Sequence, residues 1–129
     1  MTGENVMLAR ILAALPGLAM GVNAVGWIIR PAETAESLGM PLLDGIGRST
    51  QIGDFTSFFV ACALLSFWAA AKLNATAAYS AALILGGAAI FRVLSWAMHG
   101  AEFATVFIIV EAVLTAMLLV SANMMKRNA

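Results

Sequence analysis

Four stretches of this chain are apolar over the length that a helix needs to cross a membrane. They cover residues 6–30, 46–71, 75–98 and 102–125. A hydrocarbon core about 30 Å thick is crossed by about 20 helical residues. A helix satisfies all its backbone hydrogen bonds in lipid, and no stretch shows the alternation of a membrane β-strand. The sequence therefore predicts an all-α, integral membrane four-helix bundle.

Composition agrees with a membrane location and with a single domain. Apolar residues make up 62% of the 129 residues and charged residues only 11%, whereas soluble domains are about half apolar and a quarter charged. We expect residues 1–129 to form one multi-pass domain of the cell membrane, with the lipid bilayer as its surroundings. The net charge is zero, which gives no basis for a nucleic-acid partner.

Two kinds of chemistry are disfavoured by residue counts. The single cysteine, Cys62, lies among apolar neighbours and cannot form an intrachain disulfide. The single histidine, His99, has no second histidine at the spacing of a metal-binding helix, so we predict no metal site. The sequence assigns no cofactor and no catalytic residue, and it leaves open whether any reaction is catalysed.

The lengths of the connections predict the topology. The short connections at 72–74 and 99–101 predict that the last three spans pack as antiparallel neighbours. The longer first connection, 31–45, opens with Pro31 and contains Gly39, which predicts a short interfacial helix at 32–38. We expect this first loop to act as a lid or docking element.

Basic residues predict the orientation in the membrane. With four spans, both termini lie on the same side as the connection near Lys72. That side carries Arg10, Lys72, Lys126 and Arg127, and the opposite side carries Arg30, Arg48 and His99. Because basic residues concentrate on the cytoplasmic side, we expect both termini to be cytoplasmic.

Each span contains one strong polar group: Asn23, Asp54, Arg92 or Glu111. At a rise of 1.5 Å per residue, all four lie about 10–13 Å below the outer surface. A charge inside the bilayer costs about 2.5 kcal/mol or more on insertion scales, and such residues usually mark a functional site. We therefore predict a polar pocket in the outer half of the membrane.

Residues on the same helix faces extend the candidate site. Gln51 shares a face with Asp54, and Trp96 and His99 share one with Arg92. The candidate ligand-binding residues are Arg92, Asp54, Glu111, Asn23, Gln51, Trp96 and His99. His99 is also explained as a helix cap or surface group. Trp96 and Trp27 are also explained as anchors at the membrane interface.

The charged groups allow two interpretations. Arg92 stays charged at any accessible pH, so we expect it to pair with Asp54, Glu111 or both. One interpretation is a pocket that binds a polar head group or moves a proton. The other is a closed ion-pair network that fixes the helix register and binds nothing.

Several short motifs carry a resemblance to a known family. They are residues 31–39 in the first loop, Arg48 and Gly53, Phe91-Arg92 with His99-Gly100, and Glu111. With these motifs the chain resembles a family of small four-helix bacterial integral membrane proteins classed as a domain of unknown function. The resemblance covers nearly the whole chain, although Asp54 follows Gly53 where the family has a second glycine. It implies the fold and draws attention to Arg92 and Glu111, but it implies no activity.

The pattern favours a protein that binds or acts on a lipophilic small molecule with a polar head group. The alternative is an accessory or scaffold subunit, in which the polar groups pair across an interface with a membrane protein partner or a second copy of the chain. The small size of the chain and its smooth Gly/Ala faces support this alternative. A third candidate is a small-solute or proton-linked transporter. It ranks last because only Thr115 and Ser121 offer polar steps beyond Glu111 in the fourth span.

Overall fold

The computed structural model describes residues 1–127, and nearly all of them are helical. Five helices follow one another: α1 (Gly3–Ile29), α2 (Pro31–Ser37), α3 (Gly45–Lys72), α4 (Ala75–His99) and α5 (Thr105–Arg127). All except α2 are long and apolar enough to cross a membrane. The predicted all-α four-helix bundle is confirmed, including the short helix in the first loop.

Polar groups at the helix ends explain where the helices begin and end. The Asn74 side chain accepts a hydrogen bond from the amide of Ala77 (2.9 Å) and so caps the start of α4. Arg10 of α1 donates to the carbonyls of Ala70 (2.6 Å) and Ala71 (2.9 Å) in the last turn of α3. These carbonyls have no partner within their own helix, and a cation is favourable at a helix C-terminus.

The connection between α4 and α5 differs from the prediction. Gly100 adopts a left-handed conformation (φ 69°) that ends α4, and α5 begins only at Thr105 instead of residue 102. The apolar residue Phe103 packs its ring on Trp96 at 5.2 Å in this non-helical segment. The connection is therefore longer than the predicted tight turn, and Glu111 lies only six residues, or about 9 Å, into α5.

Small residues bring the helices together. Each long helix packs against two others: α1 and α4 both contact α3 and α5. The core is rich in alanine, whereas large residues such as Leu83 and Val22 are exposed, as expected where helices associate in lipid. A methyl group at Gly17 would lie 3.0 Å from the Phe67 ring, and one at Gly86 would lie 3.2 Å from Thr115. These close approaches fall within one chain.

The two ends of the bundle are packed differently. In α4, which is described in full, every buried residue lies between Ala77 and Leu85, and none lies beyond. In α5 the first buried residue is Glu111. The second half of α4 and the first turns of α5 therefore separate from the rest of the bundle. This open end is the one that carries α2.

The first loop is fixed over the open end. A methyl group at Gly26 would lie 2.6 Å from Oγ1 of Thr34, so α2 packs directly on the backbone of α1. The buried Gln51 side chain accepts from the amide of Leu43 (2.9 Å) and donates to the carbonyl of Pro41 (3.1 Å). Both ends of the loop are thus attached to the long helices.

Candidate functional site

A cavity of about 700 Å³ lies between the helices at the open end. It falls within the range of about 300–1,000 Å³ that is typical of small-molecule sites. All five helices contribute to its walls. Its polar lining residues are Asn23, Ser37, Asp54, Arg92, Ser95 and Glu111.

The remaining walls are apolar, and phenylalanine is prominent among them. Five phenyl rings line the cavity: Phe55, Phe58, Phe59, Phe91 and Phe107. Aliphatic side chains complete the surface: Met20, Leu38, Leu85, Ala88, Val106 and Val110. A largely apolar wall with a few convergent polar groups is the usual composition of a ligand pocket.

Arg92 and Glu111 form a direct ion pair inside the cavity. Nε of Arg92 lies 2.6 Å from Oε1 of Glu111, and the side chains are 33% and 11% exposed. The guanidinium carbon of Arg92 also lies 4.8 Å from the centre of the Phe107 ring, within the distance of a cation–π contact. Arg92 is therefore held by a carboxylate and a phenyl ring that belong to the same face of α5.

The register of α4 against α5 explains this pairing. Gly86 lies against Thr115, and the two helices run in opposite directions. Six residues further along α4, Arg92 consequently comes level with the turn of α5 that carries Glu111. Glycine at position 86 allows the close approach that brings the two side chains into contact.

Asp54 lines the same cavity but is not paired with any of the described residues. Within residues 1–127 its carboxylate takes part in no hydrogen bond and no ion pair, and the residue is exposed. The expected pairing of Arg92 thus involves Glu111 alone, and the three charged groups do not form a closed network in this part of the chain. Across the same residues, no group of three or more His, Cys, Asp or Glu side chains could hold a metal ion.

Asn23 contributes an amide from α1. Its Nδ2 donates to the carbonyl of Ala19 at 2.9 Å, one turn earlier in the same helix. Its Oδ1 accepts no hydrogen bond from residues 1–127 and so offers an acceptor at the cavity wall. The cavity thus brings together four of the predicted site residues: Asn23, Asp54, Arg92 and Glu111.

Three other predicted site residues lie outside the cavity lining. The amide of Gln51 is occupied by the loop, because its oxygen and nitrogen bond the backbone of Leu43 and Pro41. Trp96 is half exposed and packs on Phe103. His99 is exposed and is the last residue of α4.

The interpretation of Trp27 as an interfacial anchor is wrong. Its side chain is fully buried and stacks on Phe55, with ring centres 5.0 Å apart and planes 9° from parallel. Stacking against α3 removes the indole from the surface where an anchor would lie. Its Nε1 has no hydrogen-bond partner in the described part of the chain.

Helical spacing predicts Phe58 on the face of Asp54 and Phe107 on the face of Glu111. Three other phenylalanines that line the same cavity were not included in the predicted site: Phe55, Phe59 and Phe91. The signal was present, because each intramembrane charge has a phenylalanine next to it or one turn away. Phe58 follows Asp54 by four residues, Phe107 precedes Glu111 by four, and Phe91 adjoins Arg92. Helical spacing places the first two pairs on shared faces.

By the length and composition of its four long helices, the chain is a multi-pass integral membrane protein. Comparison with protein-family models, with curated proteins and with solved structures finds no match to this chain. The resemblance to a bacterial membrane family therefore stays a prediction. Function has to be argued from the cavity and the groups that line it.

Proposed function

We propose that this protein binds a lipophilic small molecule with a polar head group, held in the cavity at the α2 end of the bundle. The observation that carries the proposal is the cavity itself, with about 700 Å³ of space and predominantly apolar walls. Polar groups from α1, α3, α4 and α5 converge on it: Asn23, Asp54, Arg92 and Glu111. The apolar walls suit the body of such a ligand, and the polar groups suit its head.

The unpaired polar groups support occupancy by something other than lipid tails. A carboxylate such as that of Asp54 is strongly disfavoured next to hydrocarbon unless a partner compensates for its lost hydration. Hydrocarbon chains offer Asp54 and the free oxygen of Asn23 no hydrogen bonds. A head group that donates hydrogen bonds supplies the missing partners, whereas Arg92 and Glu111 already pair with each other through one direct contact.

The position of the rim supports access from the bilayer. Asp54 and Phe91 both line the cavity and are exposed. Asp54 lies nine residues into α3 and Phe91 eight residues before the end of α4, or about 14 Å and 12 Å from the helix ends. An opening at this depth is on the flank of the bundle, where a lipophilic ligand already dissolved in the membrane can enter.

Tight packing beyond the cavity supports binding over transport. Leu114 and Leu118 are buried below the polar groups. Ser121 at the far end is also buried, and its hydroxyl donates to the carbonyl of Ala9 at 2.7 Å. Among residues 1–127, the buried residues of this half are mainly apolar, which disfavours a polar route through the protein.

The proposed orientation places the cavity in the outer half of the cell membrane with both termini in the cytoplasm. It rests on the basic residues of the termini end, among them Arg10, Lys72 and Lys126. Labelling of single cysteines in intact cells tests it, in a Cys62→Ala background. A cysteine at Thr2 should be protected from an impermeant reagent, and one at Glu102 should react.

Identification of the bound molecule tests the function. The protein is purified in a mild detergent, and its non-covalent ligands are identified by native mass spectrometry. Ala88 lines the cavity, so Ala88→Phe fills the space and should abolish retention of the ligand. Ala97→Phe, on the exposed surface of the same helix, is the matched control and should retain it. Equal ligand content in both variants and the wild type would refute a cavity-bound molecule.

A further inference from the structure

We propose that the ligand is a lipophilic cation, an amphiphile whose head carries an ammonium-type charge, and that Asp54 and the phenyl rings beside it recognise that charge. This inference rests on the proposed function and names the class of molecule that the cavity accepts. The feature that carries it is one cavity that combines aromatic side chains with a carboxylate that has no partner among residues 1–127.

The charge balance of the cavity favours a cation. Of the residues described as lining it, three are ionisable: Asp54, Arg92 and Glu111. Arg92 and Glu111 offset each other through their 2.6 Å contact, which leaves the carboxylate of Asp54 without a counter-charge. Among these three groups, a cationic head would pair with Asp54, whereas an anionic head would be repelled by two carboxylates and attracted only by Arg92, whose charge Glu111 already offsets.

The cavity already contains one cation, the Arg92 guanidinium, that is bound by a carboxylate and a phenyl ring, the same two groups that we assign to the ligand's charge. The Arg92 guanidinium is bound by the Glu111 carboxylate and faces the Phe107 ring at 4.8 Å. Phe107 and Glu111 are four residues apart on α5. On α3, Asp54 and Phe58 have the same spacing and line the same cavity, but this carboxylate has no cation within residues 1–127.

Two phenyl rings near Asp54 are not stacked on another ring. Phe58 meets Phe59 edge to face, with centres 5.0 Å apart and planes at 89°, so this contact covers one face of only one of the two rings. Phe91 is largely exposed at the rim, near the level of Asp54. Phenyl faces attract ammonium and related cations within about 6 Å, most strongly where water is excluded.

A pair of probes with one shape and opposite charges tests the assignment. Tetraphenylphosphonium and tetraphenylborate are titrated into wild-type protein in a non-ionic detergent and followed by calorimetry. We expect the cation to bind about tenfold or more tightly than the anion. Because this comparison uses the wild-type chain, it does not depend on the folding of any variant. Displacement of the co-purified molecule by tetraphenylphosphonium, read by mass spectrometry, then shows whether the natural occupant is an amine-bearing lipid or a free amphiphilic cation.

Variants locate the recognition. Asp54→Asn should weaken the binding of tetraphenylphosphonium about tenfold and leave the affinity for tetraphenylborate unchanged. Phe58→Leu keeps an apolar side chain in the cavity wall but removes an aromatic ring, so it should weaken the binding of tetraphenylphosphonium about threefold. Glu102→Gln makes the same charge change as Asp54→Asn at the same end of the bundle, outside the cavity, and should leave both affinities unchanged.

Different results would refute the two proposals, the ligand-binding cavity and the cationic head group. Binding of tetraphenylborate as tight as that of the phosphonium, abolished by Ala88→Phe, would overturn the cation assignment and leave the cavity as a ligand site. Equal effects of Asp54→Asn and Glu102→Gln would also overturn it, because the charge effect would then come from the surface. Absence of binding by either probe, together with unchanged co-purified molecules in Ala88→Phe, would overturn both proposals.

Discussion

Replacing Glu111 with glutamine keeps the size of the side chain and removes its charge, so it leaves Arg92 as an unpaired cation between the helices. The pair is direct, with 2.6 Å between Nε and Oε1. Glu111 also lies one turn before Thr115, whose hydroxyl donates to the Glu111 carbonyl at 2.6 Å. That backbone contact does not involve the carboxylate and should survive the substitution.

The size of the effect follows from how much of the pair is buried. Removing one partner of a fully buried pair costs about 3–5 kcal/mol, and a fully exposed pair contributes at most about 1 kcal/mol. Here the Glu111 side chain is 11% exposed and that of Arg92 is 33% exposed. With the Phe107 ring still beside the guanidinium, we expect Glu111→Gln to reduce the free energy of unfolding by about 2–3 kcal/mol.

A double-mutant cycle isolates the interaction. Arg92→Met retains an unbranched apolar side chain and removes the cation, and the double variant removes both charges. Unfolding is followed by tryptophan fluorescence as sodium dodecyl sulfate is added to protein in mixed micelles. We expect the double variant to be more stable than Glu111→Gln, with a coupling free energy of about 1.5 kcal/mol or more. Additive effects, with a coupling below about 0.5 kcal/mol, would refute the ion pair.

Two further substitutions test how the ends of the bundle are held. Gly26→Ala places a methyl group 2.6 Å from Oγ1 of Thr34, so it should lower the free energy of unfolding by about 1–3 kcal/mol. Adding Thr34→Ala removes the clashing hydroxyl and should restore most of the lost stability in the same assay. Arg10→Met removes the two bonds to the last turn of α3, at Ala70 and Ala71, and should cost about 1–2 kcal/mol. Lys72→Met, which removes a nearby exposed cation, is the control for Arg10→Met. An equal loss of stability in Lys72→Met would contradict the capping role of Arg10.

Much of the fold could be predicted from the sequence because the bilayer requires spans of a minimum length whose backbone hydrogen bonds are all satisfied within the protein. Four apolar segments of sufficient length had to be helices, and Pro31 with Gly39 marked the short helix between the first two. The start of α5 was misplaced because hydropathy measures polarity and not conformation. Phe103 is as apolar as a helical residue, yet it lies in the segment after Gly100 and packs on Trp96.

The sequence predicted the levels of the polar groups along their helices but not which of them pair. The sequence alone determined that Asn23, Asp54, Arg92 and Glu111 lie at similar levels, because the rise per residue is fixed along a helix. Helical spacing also determined which neighbours share their faces. It gave no information on how far apart two helices lie or how each is rotated about its axis.

Those two quantities were decided by tertiary packing. Contact between Gly86 and Thr115 brings α4 close to α5 in the register that joins Arg92 to Glu111. The same end of the bundle opens enough to leave a cavity of about 700 Å³ with Asp54 at its rim. The sequence by itself determined which charges lie within the long apolar helices, and the tertiary structure decided that Arg92 pairs with Glu111, because pairing depends on distances between helices that no single helix encodes.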